Sequence, residues 1–182
     1  MKVPELRTER LLLRGWSDGD LDGLASIYAD VETVRWVGSP DGKNREETWR
    51  HMAYLVGHWA LRGFGLWAVE ELDSGALVGQ IGLLFPEGWP GLEVGWVVAR
   101  PHWGKGYAPE AARASMRWAR DELGATHLIS LIADDNERSA RVAEKLGMAV
   151  EGRALVLGQY DLRVFGRNLG SEEALDEKEA RT

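Results

Sequence analysis

The chain has 182 residues, 45% of them hydrophobic, which is enough to bury one substantial core and too few to favour two ordinary domains. A net charge of −7 argues against a nucleic-acid partner, because binding to a phosphate backbone needs clustered Lys and Arg. The absence of cysteine excludes disulfides, thiolate metal ligands and a cysteine nucleophile. No apolar run approaches the roughly 18 residues of a membrane span, and the N-terminus has no apolar leader, so we expect a cytoplasmic protein.

The first third of the chain predicts one strand and two helices. Residues 6–14 are rich in strand formers and predict a strand. Ser17 and Asp20 form a capping-box-like start for a short helix. A second helix is expected after Asn44, with Glu47 three residues later, because apolar residues then recur at helical spacing.

The rest of the chain predicts a mixed α+β domain around one mostly antiparallel sheet flanked by helices. Residues 64–71 and 77–84 predict a hairpin, and residues 92–99 add a third strand to an antiparallel meander. A helix, a strand, a second helix and two strands are expected after them, at about residues 108–123, 127–133, 137–146, 150–157 and 160–167.

Residues 1–168 are therefore expected to form one domain. Residues 169–182 are highly charged, with little apolar content, and are expected to form a solvated C-terminal tail.

Several common motifs are excluded. Residues 104–109 begin like a dinucleotide-binding fingerprint, but Pro109 stands where the third glycine belongs. The phosphate loop of nucleotide hydrolases fails too, because Gly106 stands where that motif has Ser or Thr. His51 and His58 could share a helix face, but without nearby paired carboxylates they are expected to be packing or surface residues, and we expect no metal site.

The segment that remains is a strand, a glycine-containing loop and a helix start in direct succession. Backbone N–H groups point outward at a helix start, and the helix dipole favours negative charge there. Gly104 and Gly106 would let a phosphate approach the backbone, and Pro109 gives up an N–H group that has no intrahelical partner. The segment predicts an anion site, although on its own it could also be an ordinary connection to a core helix.

Four landmarks occur in order along the chain. They are Leu-x-Thr-Glu-Arg-Leu-x-Leu-Arg at residues 6–14, Glu-Val-Gly-Trp at 93–96, Trp-Gly-Lys-Gly-Tyr-Ala at 103–108 and the segment from Asn136 to Met148. In combination they resemble the GNAT superfamily of N-acetyltransferases, in the branch similar to the Rim-type ribosomal-protein N-terminal acetyltransferases. Trp103 replaces the usual Gln or Arg of the loop, and this replacement recurs in the Rim-like branch.

The resemblance implies a GNAT-type fold and acetyl-coenzyme A (acetyl-CoA) as cosubstrate. It places the coenzyme pyrophosphate on the backbone amides of residues 104–108 and the pantetheine arm on the exposed backbone of residues 96–98, where the central strand splays from its neighbour. Asn136 could contact pantetheine or cap its helix. The expected cofactor-binding residues are Trp96, Val97, Val98, Trp103, Gly104, Lys105, Gly106, Tyr107, Ala108, Asn136, Ser139 and Lys145.

Glu93 is the candidate base, directly or through a water. In a strand it shares its face with Gly95, Val97 and Ala99, and these small residues would leave room for a cleft. The other interpretation is a strand-end carboxylate in an ion pair or in water.

Ser139 is the second candidate catalytic residue. It forms one helix face with Val142, Ala143 and Leu146, so its hydroxyl is expected to point inward. The resemblance puts the matching serine near the coenzyme sulfur, where it could donate to the leaving thiolate. The alternative is a buried serine bonded to its own helix.

The resulting hypothesis is an N-acetyltransferase that moves the acetyl group of acetyl-CoA to a primary amine, either a protein N-terminus or a small molecule, by direct attack in a ternary complex. The alternatives are a non-catalytic protein of the same fold that senses acyl-CoA and a dimerising structural module with no coenzyme affinity. A homodimer is compatible with the first hypothesis. The residues around 36–59 and 85–89 are expected to form the acceptor walls.

Overall fold

The computed structural model describes residues 2–170, so residues 171–182 of the expected tail lie outside the described residues. Eight strands form one sheet within this range, in the order β1-β2-β3-β4-β5-β6-β8-β7. They are β1 (Leu6–Arg7), β2 (Leu11–Arg14), β3 (Leu66–Glu71), β4 (Leu77–Leu84), β5 (Glu93–Val98), β6 (His127–Ile132), β7 (Ala149–Val156) and β8 (Tyr160–Asn168). The predicted α+β class with one mixed sheet is confirmed.

Five helices accompany these strands in the described range. They are α1 (Leu21–Ala29), α2 (Val31–Val34), α3 (Arg45–Arg62), α4 (Tyr107–Leu123) and α5 (Glu137–Lys145). The predicted helix starts are confirmed, since Ser17 and Asp20 form a capping box before α1 and Asn44 and Glu47 form another before α3. The single turn of α2 has no amphipathic period and was not predicted.

The prediction of one strand over residues 6–14 is wrong, because this segment is a hairpin. Leu6 pairs with Leu13 and Arg7 with Leu12 in an antiparallel register. Thr8 makes the turn: its N–H donates to the carbonyl of Leu11, and its hydroxyl accepts from the Leu11 N–H at 3.0 Å. The side chain of one threonine thus competes with the extended backbone that the sequence pattern favours.

All neighbouring strands are antiparallel except β5 and β6. These two are parallel and pair at one register position, Glu93 with Ile129. From this point β5 and β6 separate, so the sheet consists of a β1–β5 half and a β6–β8–β7 half that meet at one end. Parallel neighbours need a crossover, and here α4 supplies it.

Apolar side chains pack on both faces of the sheet. On one face Val94 and Val98 of β5 pack with Ala111 and Met116 of α4. On the other face Val97 packs with residues of α1 and α3. The alternation along β5 expected from the sequence is therefore confirmed. Leu169 is still part of the first cluster, and its N–H donates to the carbonyl of Thr126 at 2.8 Å.

Two leucine-to-alanine substitutions on α3, Leu55→Ala and Leu61→Ala, test the packing of this helix, because the two side chains differ in burial. Leu55 is fully buried, whereas Leu61 is 86% exposed. We expect Leu55→Ala to lower the free energy of unfolding by about 2–5 kcal/mol, because it leaves a cavity, and Leu61→Ala to change it by less than about 0.5 kcal/mol. Urea denaturation of both variants measures the difference. Equal effects would contradict the packing of α3 described above.

Candidate active site

The divergence of β5 from β6 opens a cleft of about 730 Å³. Its floor is the end of β5, Trp96 to Val98, beyond the last position at which β5 pairs with β6. One wall is α5 with the segment before it, and the other includes α2 and the residues that follow it. The loop and helix start after β5 close one end. An extended ligand in this cleft would lie along strand backbone that has no partner strand on that side.

The loop after β5 has the backbone geometry of an anion site. Gly104 has φ +78° and Gly106 has φ +82°, both in the left-handed region that favours glycine. In the first turn of α4 the N–H groups of Tyr107 and Ala108 have no intrahelical acceptor, Pro109 has no N–H, and Glu110 donates back to the Gly106 carbonyl at 3.2 Å. Amides and the positive end of the helix dipole therefore meet at one end of the cleft.

Charged groups behind the loop fix its position. Arg10 donates from its backbone N–H and from Nε to the carboxylate of Glu110, at 3.0 and 2.8 Å, and from Nη1 to the carbonyl of Lys105 at 2.9 Å. Tyr107 donates its phenol hydrogen bond to Glu71, and the Lys105 ammonium lies 3.5 Å from the same carboxylate. The loop is thus attached to the first hairpin and to β3.

Trp103 connects the loop to both sides of the cleft. Its indole N–H donates to the carbonyl of Val98 at 2.7 Å, so the last carbonyl of β5 has a hydrogen-bond partner. The guanidinium of Arg138 on α5 lies over the Trp103 ring, 4.0 Å from the ring centroid. Arg138 also lies 4.0 Å from Glu32 of α2. The indole therefore holds a cation at the cleft wall.

Two polar residues of α5 line the cleft. Asn136 is the N-cap of α5, and its side-chain oxygen accepts from the Ser139 N–H at 3.2 Å. The Ser139 hydroxyl accepts from the indole N–H of Trp96 at 3.3 Å. It is not bonded to its own helix carbonyls in this structure, so its hydrogen remains available for a ligand in the cleft.

Glu93 lies at the point where β5 and β6 separate and is 8% exposed. Its carboxylate accepts from the indole N–H of Trp89 at 2.6 Å and from the backbone N–H of Leu131 on β6 at 3.2 Å. Burial raises the pKa of Glu93 to about 7, and these two hydrogen bonds oppose the rise. A carboxylate with this pKa can take up a proton near neutral pH.

A neutral polar cluster lies on the same sheet face as Glu93. Gln80 of β4 stands opposite Val97 of β5 and donates to the Tyr28 hydroxyl at 2.9 Å. His51 of α3 contacts that hydroxyl at 2.7 Å and the Gln80 oxygen at 3.1 Å. Burial lowers the pKa of His51 to about 4, so its imidazole is neutral at pH 7. Glu93 is therefore the group on this face whose charge changes near neutral pH.

The chain matches the acetyltransferase (GNAT) domain model over residues 10–149. It belongs to the GNAT acetyltransferase family. The uncharacterized protein YkkB of Bacillus subtilis is 32% identical over 152 residues, which cover 79% of this chain and 84% of YkkB. An acetyltransferase from Agrobacterium tumefaciens superposes with a TM-score of 0.82 at 31% identity, covering 93% of this chain and 96% of that one.

Rim-type ribosomal acetyltransferases are among the GNAT proteins with a similar fold. RimL, the ribosomal L7/L12 alpha-N-protein acetyltransferase, solved in complex with coenzyme A, has a TM-score of 0.74 and covers 91% of this chain and 98% of its own. Its sequence is 17% identical, so this likeness concerns the fold alone.

Most residues that the sequence singled out lie on the GNAT cleft. Those that line it are Trp96, Val97, Val98, Trp103, Gly104, Gly106, Tyr107, Ala108, Asn136, Ser139 and Lys145. Lys105 does not line it; its ammonium lies 3.5 Å from the Glu71 carboxylate and 3.3 Å from Nδ1 of His102. Glu93 lies where β5 and β6 begin to separate, and it is not among the residues that line the cleft.

Sequence reasoning missed the partners that fix these groups. Trp89 lies in a loop between Pro86 and Pro90, where no periodicity indicates which way a side chain points. Arg138 and Arg141 also line the cleft. The helical spacing of Arg141 with Lys145 could have indicated the second of these, since residues four apart share a helix face.

His51 and His58 are packing residues, as expected. His58 accepts from the backbone N–H of Phe85 at 3.1 Å and bonds to the carbonyl of Phe64 at 2.8 Å through its other ring nitrogen. Among residues 2–170 no three His, Asp or Glu side chains gather in a way that could hold a metal ion. In the same range no helix is both long enough and apolar enough to cross a bilayer.

Glu93→Gln tests the raised pKa of Glu93 through stability. The Glu93 carboxyl has a pKa of about 7 in the folded protein and near 4.5 in the unfolded chain, so the folded protein binds the carboxyl proton more tightly. The contribution of Glu93 to stability is therefore greatest below pH 4.5 and falls as the pH rises to about 7. As the pH rises from 4.5 to 8, the free energy of unfolding of Glu93→Gln should therefore increase by up to about 3 kcal/mol relative to that of wild type. Glu87→Gln, at a 99% exposed side chain, is the control. A pH-independent difference between Glu93→Gln and wild type would contradict the buried carboxylate.

Proposed function

We propose that the protein is an acetyl-CoA-dependent N-acetyltransferase that acylates a primary amine, a protein N-terminus or a small-molecule amine, by direct attack within a ternary complex. One observation carries the proposal: the free amides of the glycine loop and the unpaired backbone of β5 lie on one continuous cleft, and Glu93, a buried carboxylate with a pKa near 7, lies on the same strand three residues before that backbone. The absence of cysteine and the sequence pattern support a cytoplasmic location.

The residues at the two ends of the cleft fit the coenzyme. The amides of residues 104–108 would hold the pyrophosphate, because left-handed glycines let its oxygens approach the backbone. An added Cβ at Gly104 would meet nothing within 4 Å, so space for a ligand exists above this backbone. The exposed edge of β5 from Trp96 to Val98 would pair with the amide groups of the pantetheine arm. Bound acetyl-CoA supplies an activated acetyl thioester.

Glu93 would accept the proton that the amine must lose. An α-amino group has a pKa of about 8 and a lysine side chain of about 10.4, so a base with a pKa near 7 is better matched to the former. The path is direct or through one water. A backbone amide of β5 would stabilise the negative charge that develops on the carbonyl oxygen.

Ser139 would donate a hydrogen bond to the departing sulfur. Its oxygen already accepts from the Trp96 indole at 3.3 Å, and this orients the hydroxyl hydrogen away from that indole. Ser139 lines the cleft next to the strand segment that would hold the pantetheine arm.

Gly106→Val tests the position of the pyrophosphate. Valine at φ +82° is strained, and its Cβ would lie 3.5 Å from the Arg10 guanidinium that holds the loop, so the loop amides should shift and the affinity for both acetyl-CoA and desulfo-coenzyme A should fall at least about ten-fold. Calorimetry measures both. Gly75→Val is the matched control, because Gly75 has φ +68° in the turn between β3 and β4, away from the cleft. Ser139→Ala should spare both affinities. Near-normal affinity in folded Gly106→Val would mean that the coenzyme does not lie on this loop.

Glu93→Gln tests the base. It should retain acetyl-CoA affinity and lower turnover by roughly 10²–10⁴. Wild-type kcat, measured at saturating amine so that protonation of the free amine does not contribute, should fall as the pH drops below about 7, where Glu93 becomes protonated, and the variant should lack this limb. Thiol release over a panel of amines provides the rate, with Glu122→Gln, at an exposed glutamate of α4 that does not line the cleft, as control. An unchanged rate in Glu93→Gln would assign Glu93 a structural role. Coenzyme binding without turnover on any amine would instead favour an acyl-CoA sensor.

A further inference from the structure

Gly95 of β5 leaves an open space beside the carboxylate of Glu93. The two residues lie two positions apart in one strand, so they share a face of the sheet. A Cβ on Gly95 would meet only Oε1 of Glu93 and Cδ1 of Leu84, each at 4.0 Å. The residue opposite Gly95 on β4 is Gly82, which has no side chain that could fill the space. The candidate base therefore borders a gap on its own face of the sheet.

Apolar and aromatic side chains border this gap. Leu84 pairs with Glu93 across β4 and β5 and is partly exposed. Trp89, also partly exposed, donates its indole N–H to Glu93 at 2.6 Å. Tyr54 of α3 is 45% exposed, and burial, together with the negative charge of Glu93, raises the pKa of its phenol. Tyr54 thus lies within electrostatic reach of the carboxylate, and all three side chains keep some accessible surface.

The groups around Glu93 carry no positive charge. Its two hydrogen-bond donors are neutral, an indole and the backbone N–H of Leu131, and within residues 2–170 no cation lies close enough to lower its pKa. His58, one turn of α3 beyond Tyr54, is neutral near pH 7, because burial lowers its pKa. Such surroundings favour an apolar group, since a charged one would lose water without gaining a partner.

The gap lies where an acceptor bound to Glu93 would carry its first substituent. An amine that gives its proton directly to Glu93 must lie about 3 Å from the carboxylate, and the carbon that bears the amine lies about 1.5 Å beyond the nitrogen. A side chain on Gly95 would begin at a similar distance, 4.0 Å from Oε1. Trp96, the next residue, begins the floor of the cleft, so the gap adjoins the strand segment assigned to the acetyl donor.

We infer that Gly95 is a specificity-determining residue, whose missing side chain leaves room for an apolar substituent on the carbon that bears the reacting amine. The substrate class is then a primary amine substituted at that carbon by an apolar group, in preference to an unsubstituted amine. The inference rests on the proposed function, because it takes Glu93 as the base.

The test measures thiol release from acetyl-CoA with glycinamide, alaninamide and leucinamide. These amides share an α-amine of similar pKa and differ in the substituent on the α-carbon. Wild-type kcat/KM should rise along the series by at least about ten-fold, because the gap would bury the apolar substituent. In Gly95→Ala the added methyl group would occupy the gap, so the leucinamide-to-glycinamide ratio of kcat/KM should fall at least about ten-fold.

Two controls separate the loss of space from damage to the fold. Position 95 does not have the positive φ that strains an L-residue, so Gly95→Ala should fold and should bind acetyl-CoA in calorimetry with near-normal affinity. Gly152→Ala is the matched glycine-to-alanine change on another strand, β7, where a Cβ would meet nothing within 4 Å. This variant should keep the wild-type ratio.

The outcomes separate this inference from the proposed function. An unchanged ratio in Gly95→Ala, or a wild type that does not prefer leucinamide, would overturn the specificity role of Gly95 and leave the acetyltransferase proposal in place. An equal loss of kcat/KM for all three amides in Gly95→Ala would show that the methyl group disturbs Glu93, which also overturns the role of Gly95. Wild-type protein that releases no thiol with these or any other primary amines would overturn the proposed function and the inference with it.

Discussion

Buried backbone N–H and C=O groups need partners, and this requirement governs the site. Where β5 and β6 separate, each strand loses the neighbour that would form hydrogen bonds with the backbone N–H and C=O groups along its edge. On β6 the N–H of Leu131 is satisfied by the carboxylate of Glu93, and on β5 the carbonyl of Val98 is satisfied by the indole of Trp103. The backbone between them faces the cleft and fits an extended ligand that carries its own amide groups. The gap in the sheet thus costs strand-to-strand hydrogen bonds and leaves backbone groups open to the cleft.

The same gap explains the electrostatics of Glu93. A carboxylate placed between diverging strands loses water on both sides, and two hydrogen bonds from neutral donors do not compensate fully, so its pKa rises. An arginine beside Glu93 would have lowered the pKa of its carboxyl, which would then bind no proton near neutral pH. The polar cluster on the same face of the sheet, formed by Tyr28, His51 and Gln80, is neutral at pH 7. The arginines and lysine that line the cleft lie on α5 and, with Arg35, directly after α2.

Much of the fold could be predicted from local patterns. The capping pairs that begin at Ser17 and Asn44 correctly predicted two helix starts. The alternation along β5 correctly predicted which of its side chains share a face of the sheet. The glycine loop was predicted as an anion site from its place between a strand and a helix, and its glycines have positive φ. The hairpin at Thr8 could not be predicted, because one side-chain hydrogen bond outweighs the strand propensity around it. The contacts of Trp89 and Lys105 depend on which segments meet in space, and no period in the sequence encodes them.

The attachment of Arg10 to the loop has a consequence for dynamics. Arg10 and Thr8 reach the Glu110 carboxylate of α4 across about 100 positions of sequence, and Arg10 also binds the Lys105 carbonyl, so the first hairpin is attached to both the loop and the helix start. Thermodynamic linkage is reciprocal: a ligand that orders the loop must also strengthen the docking of the hairpin, by the same free energy with which hairpin docking aids the ligand. Amide hydrogen exchange in the hairpin, whose residues do not line the cleft, would then slow in proportion to coenzyme occupancy. The protection of the hairpin amides would then depend on a cleft that the hairpin residues do not line.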